Sequence, residues 1–335
     1  MSNMHTVILG AGATIAAIPN GDKYGNKSSV MNGLIEKLHL QDIISGVDIH
    51  TKSNNLEDIY SELYSRPECK SVVKKLEDVL YDYFASLELP DQPTIYDLLV
   101  LSLTKKDVIA TFNWDPLLIQ AYIRCHKITR NLPHILCLHG NTAMGYCYEH
   151  DEFGTTEATC PICRRVFAPT KLLYPVKEKD YDNDNYIKKC WEAIDYCLEH
   201  SYMLTIFGYS APSSDKQAVS LLKKAWGSLD DRQFEEVSVI DIIEEESMLE
   251  KWKDFIYSHH YRYTNDFYSS YLGTFPRRTC ETIFATFQLC LPPYDNRGFK
   301  EGMTWDDIMS FIQPLLKEES EAPKDKGYPL HYHDQ

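Results

Sequence analysis

The stretch Asp107–Gly140, DVIATFNWDPLLIQAYIRCHKITRNLPHILCLHG, decides the fold. It holds two apolar runs, Val108 to Phe112 and Ile135 to Leu138, and each ends in polar groups that a strand tip presents. The first runs into Asn113-Trp114-Asp115 and then Pro116; the second runs into His139-Gly140. Between them, Leu117, Leu118, Ala121, Tyr122 and Cys125 recur at helical spacing over Pro116 to His126. Asp115 suits an N-cap and Pro116 a first helical residue. The unit reads as strand, helix, strand, which predicts parallel pairing and an α/β sheet. Ligands of open α/β sheets bind beyond the carboxyl ends of the strands. The amide of Asn113, the carboxylate of Asp115 and the imidazole of His139 are therefore expected to meet over one crevice.

Composition narrows the function class. With 335 residues and 44% hydrophobic content, the chain can fill one large domain or a core carrying an inserted module. A formal net charge of −15 argues against a broad phosphate-binding surface, so direct nucleic-acid binding is not expected. No run approaches the ~18 apolar residues that a membrane helix needs. Met1 to Gly12 lacks the basic and apolar regions of a signal peptide. Ten cysteines without such a signal point to a reducing cytoplasm. Cys125, Cys190, Cys197 and Cys290 sit in apolar contexts and read as small core residues.

A β-like run, His5 to Leu9, is followed at once by Gly10-Ala11-Gly12-Ala13-Thr14. A glycine turn that opens a helix after a first strand lets backbone approach a pyrophosphate. The full G-x-G-x-x-G pattern is absent, because Ile15 stands at the third glycine position; a tight turn with close helix packing accounts for the same residues. From about Ser28 to Lys105 the chain reads as helical. Its strongest stripe is Val72, Val73, Leu76, Val79, Leu80, Tyr83, Phe84 and Leu87, with further helices over Leu56 to Tyr64 and Ile95 to Leu103. This excursion between the first two sheet strands is a candidate subdomain over the crevice. It shows no catalytic constellation of its own.

After Gly140 the texture changes. Cys147-x-x-His150 precedes Cys160-Pro-Ile-Cys163. Paired two-residue knuckles suit tetrahedral zinc, and four protein ligands leave no open position, so the expected role is structural. Arg164 and Arg165 beside Cys163 would favour thiolates. Further on, Ile187, Cys190, Trp191, Ile194, Cys197 and Leu198 mark a helix. Tyr202 to Phe207 reads as a strand ending in Gly208-Tyr209-Ser210, and Ser213 or Ser214 as the cap of the next helix. Val237 to Ile243 reads as a strand that carries Asp241. Met248 to Ile256 and Trp305 to Leu316 read as helices, the second capped by Thr304. The expected division is a nucleotide-binding domain over 1–245, with an insertion at about 28–105 and a zinc module at about 141–170. A helical extension over 246–316 and a loose tail over 317–335, with His331 and His333, complete it.

Taken in order, these motifs resemble the sirtuin family, and more its bacterial sirtuin-like branch than its protein deacetylases. The resemblance spans roughly residues 5 to 245. It implies a Rossmann-like domain with a helical insertion and a small zinc-ribbon-like module. It implies that Gly10, Ala11, Gly12 and Thr14 line an NAD pocket and that Asn113 and Asp115 hold the nicotinamide and its ribose. His139 would then act on ribose hydroxyls, Gly208, Tyr209 and Ser210 would meet phosphates or the adenosine ribose, and Asp241 would meet that ribose.

The chain departs from the deacetylase pattern. Where deacetylases carry Pro-Asp-Phe-Arg soon after the glycine turn, Pro19 is followed here by Asn20-Gly21-Asp22-Lys23. Phe112 stands where a glutamine is usual, Asp241 where an asparagine is usual, and His150 where a zinc cysteine is usual. Sequences of this departed type are similar to NAD-cleaving effectors of bacterial antiphage defence, which are often oligomeric and triggered, sometimes with a partner ATPase. The implied activity is NAD hydrolysis. The alternatives are an NAD-dependent deacylase or ADP-ribosyltransferase, and a nucleotide-sensing module without turnover.

Overall fold

The structure, a computed structural model, describes residues 4–28, 31–176, 179, 181–291 and 298–321. Among the described residues, nine strands follow in chain order: β1 (Met4–Leu9), β2 (Val108–Thr111), β3 (His134–Cys137), β4 (Met144–Cys147), β5 (Glu152–Thr155), β6 (Ala168–Pro169), β7 (Ser201–Phe207), β8 (Glu236–Ile240) and β9 (Tyr261–Thr264). Six of them form one sheet in the order β3-β2-β1-β7-β8-β9, with every pair parallel. Numbered within that sheet alone, the order is 3-2-1-4-5-6, the doubly wound arrangement of dinucleotide-binding folds. Strand order reverses between β1 and β7, so the crevice expected of such a fold lies above Leu9 and Phe207.

Alternation along the strands splits the interior into two layers. Val7, Leu9, Ile109, Met203 and Phe207 face one core, packed by the helical insertion and the C-terminal helices. Ile8, Val108, Ala110, Leu204, Ile206 and Val239 face the other, packed by helices Asn185–His200, Lys216–Trp226 and Glu245–Trp252. Burial on both faces explains why these strands read as continuous apolar runs.

The decisive stretch folds as strand, helix, strand, with Val108 to Thr111 in register with His134 to Cys137. Its helix spans Leu117–Cys125 with Pro116, expected as the first helical residue, at the N-cap, and Asp115 just before it accepts the Leu117 N–H at 3.1 Å. The insertion carries helices Leu56–Tyr64, Lys70–Ala85 and Ile95–Ser102. On the second of these, Val73, Leu76, Leu80 and Phe84 are buried, the inner half of the predicted stripe. A capping box between Thr94 and Asp97 starts the third, and Arg124 grips the same Asp97 carboxylate with two guanidinium N–H groups. That bidentate pair locks the insertion to the helix after β2.

Five readings need correction. The strand at Val237 ends at Ile240, leaving Asp241 just beyond it. Ser214 does not cap the helix Lys216–Trp226; its hydroxyl donates to Glu57 at 3.0 Å. Cys290 is exposed, whereas Cys125, Cys190 and Cys197 are buried. A sixth sheet strand, β9, lies in a segment read as helical. Its sequence, Tyr-Arg-Tyr-Thr, has no apolar run because it is an edge strand with three half-exposed residues. The helix Trp305–Glu321 includes the start of the expected tail, and Thr304 caps it through Asp307. The rest of the tail, with His331 and His333, lies outside the described residues. No helix among the described residues is long and apolar enough to cross a membrane.

Candidate functional site

A cavity of about 390 Å³ opens where the strand order reverses. Gly10, Ala11 and Thr14 line it from the turn after β1; Asn113 and Asp115 line it from the turn after β2; His139 lines it from the end of β3; Tyr209 and Ser210 line it from the turn after β7. Amide, carboxylate and imidazole therefore share one cavity. Gly12 and Gly208 do not line it; they let the two turns pack on each other. Gly12 donates its N–H to the Gly208 carbonyl at 2.9 Å, and a side chain on Gly208, whose φ is +60°, would lie 2.2 Å from the Ala13 nitrogen. Asp241 also stands apart from the cavity. Its carboxylate accepts the N–H of Ile242 at 2.7 Å and of Ile243 at 3.3 Å.

The polar groups are held from behind. Asn113 Nδ2 donates to the Gly10 carbonyl at 2.8 Å and lies 3.0 Å from Thr14 Oγ1 and 3.1 Å from the Tyr96 hydroxyl. Thr14 donates to Asp115 Oδ2 at 2.8 Å. The loop backbone is fixed as well. Asn141 Nδ2 donates to the Asp115 carbonyl at 2.6 Å, and the Thr142 hydroxyl donates to the Trp114 carbonyl at 3.0 Å. Asn141 follows Gly140, whose φ of +78° and 2.0 Å clearance from the Lys171 carbonyl exclude any other residue.

Burial sets the charge states. Asp115 is 3% exposed, and desolvation raises its pKa to about 6. His139 is 4% exposed, and desolvation lowers its pKa to about 3, so the ring is neutral at physiological pH. Its Nε2 is buried without a hydrogen-bond partner, and its ring lies edge-on to Phe112 at 4.7 Å. This nitrogen is therefore a polar group of the cavity wall without a protein partner.

The Asp115 shift has a stability consequence. A raised carboxyl pKa means the folded state holds the proton more tightly, so the destabilisation is complete above about 6 and absent below the unfolded value. The rise from 3.8 to about 6 corresponds to roughly 3 kcal/mol. Asp115→Asn is therefore expected to gain up to that amount in urea unfolding at pH 8 and to gain almost nothing at about pH 3, below the unfolded value. Equal gains at both pH values would contradict the assignment.

Several cavity residues were not visible in the sequence. Lys179 pairs with Asp215 in the wall, donates to the Ser214 carbonyl at 3.1 Å, and Asp215 also accepts the Tyr209 hydroxyl at 3.1 Å. Glu57 reaches the cavity from the insertion, as do Asn55 and Phe84. Only fold topology brings these residues together; no local spacing marks them.

The second cluster is the zinc module. β4, β5 and β6 form a small antiparallel sheet, and Cys147, His150, Cys160 and Cys163 offer ligand atoms all within 4.8 Å of one another. A zinc tetrahedron has sulfur–sulfur edges of roughly 3.8 Å and sulfur–nitrogen edges of roughly 3.6 Å. Here Cys147 and Cys163 sulfurs are 3.8 Å apart, and His150 Nδ1 lies 3.4 Å from Cys147 and 3.9 Å from Cys160. The donors fit a closed structural zinc site. Backbone N–H groups of Ile162 and Cys163 point at the Cys160 sulfur. Arg165 pairs with Glu149 and not with a cysteine.

No protein-family model matches the chain, and no curated protein matches it. Among solved structures, a Sir2 homologue in complex with ADP-ribose is 15% identical, with 72% of this chain and 82% of that chain covered and a TM-score of 0.36. A Sir2 homologue in complex with NAD is 14% identical, with 78% and 84% covered and a TM-score of 0.36. Sir2 bound to an acetylated peptide is 14% identical, with 87% and 94% covered and a TM-score of 0.40.

Proposed function

We propose that the chain is an NAD hydrolase, which cleaves NAD to nicotinamide and ADP-ribose. The observation that carries this reading is the convergence of Asn113, Asp115 and His139 on one cavity at the strand-order reversal, beside the Gly10 to Thr14 turn. The glycosidic C–N bond breaks with its electron pair passing to the nicotinamide nitrogen, which leaves neutral. Positive charge develops on the ribose, and a water oxygen attacks the same carbon and loses its proton. The cavity wall carries Glu57, Asp115 and Asp215 against Lys179, an acidic balance suited to a cationic ring and a cationic transition state. Asn113 holds polar groups of the ribose and carboxamide in a reactive orientation. His139 Nε2 accepts an O–H from water or a ribose hydroxyl.

Water is favoured over acyl-lysine as the acceptor. The imidazole is nearly closed off between the rings of Phe112 and Tyr181, an enclosure that suits a small acceptor better than an extended peptide. Pro19 to Lys23 also lacks the Phe-Arg pair of deacetylases. Product analysis with and without an acyl-lysine peptide tests this. Nicotinamide and ADP-ribose should accumulate equally in both. O-acyl-ADP-ribose formed only with peptide would establish the deacylase instead.

Uncontrolled NAD loss harms a cell, so the reading includes control. The sirtuin-like resemblance supports a cytoplasmic effector of antiphage defence, homo-oligomeric and released by a phage-derived trigger or a partner ATPase. The insertion is the candidate lid, since Glu57 bonds across the cavity to Ser214.

A further inference from the structure

We infer that Tyr96, supplied by the insertion and not by a strand end, is a positioning residue that sets the orientation of Asn113 and the hydrogen-bonded state of Asp115 through Thr14. The inference rests on the NAD-cleaving reading for its kinetic consequence and on geometry alone for its hydrogen-bond consequence. Tyr96 is fully buried in the first turn of the helix Ile95–Ser102, a turn fixed by the Thr94–Asp97 capping box and by Arg124 on Asp97. Its hydroxyl oxygen lies 2.7 Å from Thr14 Oγ1 and 3.1 Å from Asn113 Nδ2.

Counting hydrogens gives the network a direction. The single hydroxyl hydrogen of Thr14 goes to the Asp115 carboxylate. Tyr96 must therefore donate to Thr14. One N–H of Asn113 goes to the Gly10 carbonyl, and the other is shared between the oxygens of Thr14 and Tyr96. Every hydrogen is committed, and the chain of donors ends on Asp115. With Nδ2 turned inward, Asn113 Oδ1 is the end of the amide left for the cavity, an acceptor for a ribose hydroxyl or a carboxamide N–H. A flipped amide would set Oδ1 against the Gly10 carbonyl and against Thr14 Oγ1, whose hydrogen goes to Asp115, and could take the Tyr96 hydrogen only by removing it from Thr14. The titratable groups that feel the Asp115 charge are Tyr83, Tyr96 and Cys137, all raised in pKa and neutral near pH 7. The donor chain is thus the local source of support for the carboxylate, together with the Leu117 N–H.

The test compares the parent full chain with Tyr96→Phe, which removes only the hydroxyl. The expected result is a fall in kcat of about tenfold with KM little changed, the loss of one charge-linked hydrogen bond. The acid limb of the pH–rate profile, set by Asp115 near pH 6 in the parent, should move to higher pH. Thr14→Val should move it further, and Thr14→Ser, which keeps the hydroxyl, should recover what Thr14→Val displaces. A second readout needs no turnover: carboxyl ¹³C NMR of aspartate-labelled protein, with Asp115→Asn to assign the signal, should show Asp115 titrating higher in Tyr96→Phe. An unmoved Asp115 titration, or a kcat loss with an unmoved acid limb, would overturn the inference. If the parent cleaves no NAD, the proposed function fails, and the NMR titration still decides the role of Tyr96.

Discussion

His139→Ala is expected to cut NAD cleavage by ~10²–10⁴-fold while the protein remains folded. The ring is neutral at physiological pH, because burial takes its pKa down to about 3, and its Nε2 has no partner inside the protein. A buried nitrogen on the cavity wall without a protein partner is free to meet a hydroxyl of a bound substrate. A base this weak would not strip a proton from an unactivated hydroxyl. It suffices at a developing oxocarbenium ion, where the attacking water or ribose hydroxyl becomes acidic as its new bond forms. Asn113→Ala should lose comparable activity by freeing the ribose and carboxamide from their reactive orientation. The rates are measured beside a thermal melt for each variant. A well-folded variant that turns NAD over at the parent rate removes that residue from the mechanism. Because His139 does not titrate near pH 6.5, the acid limb expected near pH 6 belongs to Asp115.

Loss of one zinc ligand should have the largest structural effect. A structural zinc in a small module contributes ~10–16 kcal/mol of binding free energy to the folded form. Cys160→Ser should therefore lose the metal and expose the 141–170 segment to protease. The damage should not stop at the module. Its chain leaves β3 through Gly140, Asn141 and Thr142, and the last two hold the Asn113 to Asp115 loop by its carbonyls. Thr170, at the other end of the module, accepts the Asn141 N–H at 3.2 Å and donates to the Asn141 carbonyl at 3.0 Å. Release of the module loosens both ends and thereby the amide and carboxylate over the cavity. Metal analysis of protein purified without added zinc should find about one zinc per chain. A stoichiometry near zero with the module still resistant to protease would contradict the site.

The sheet around β1, β2 and β7 was legible because buried parallel strands write themselves as apolar runs; β3, an edge strand, still carries the apolar run Ile135 to Leu138, and the polar residues at the strand tips stand out against these runs. Asn113, Asp115 and His139 were found in this way, and the zinc ligands by their spacing. Strand β9 was missed because an edge strand with tyrosine and arginine has neither run nor alternation. Tyr96, Lys179, Asp215 and Glu57 were missed for another reason. Lys179, Asp215 and Glu57 reach the cavity from different elements, Tyr96 stands behind its wall, and nothing nearby in sequence distinguishes Tyr96 from the packing tyrosines beside it. The glycines divide instructively: the turn signal was real, but Gly12 and Gly208 serve the approach of two backbones and leave the lining to Gly10, Ala11 and Thr14.

The most direct measurement is the fate of NAD mixed with the purified protein alone, followed by chromatography over time at high protein concentration, with Asn113→Ala as the control. The account predicts equal amounts of nicotinamide and ADP-ribose from the parent and little of either from the variant. NAD that stays intact with the parent, or is lost equally with both proteins, would contradict it.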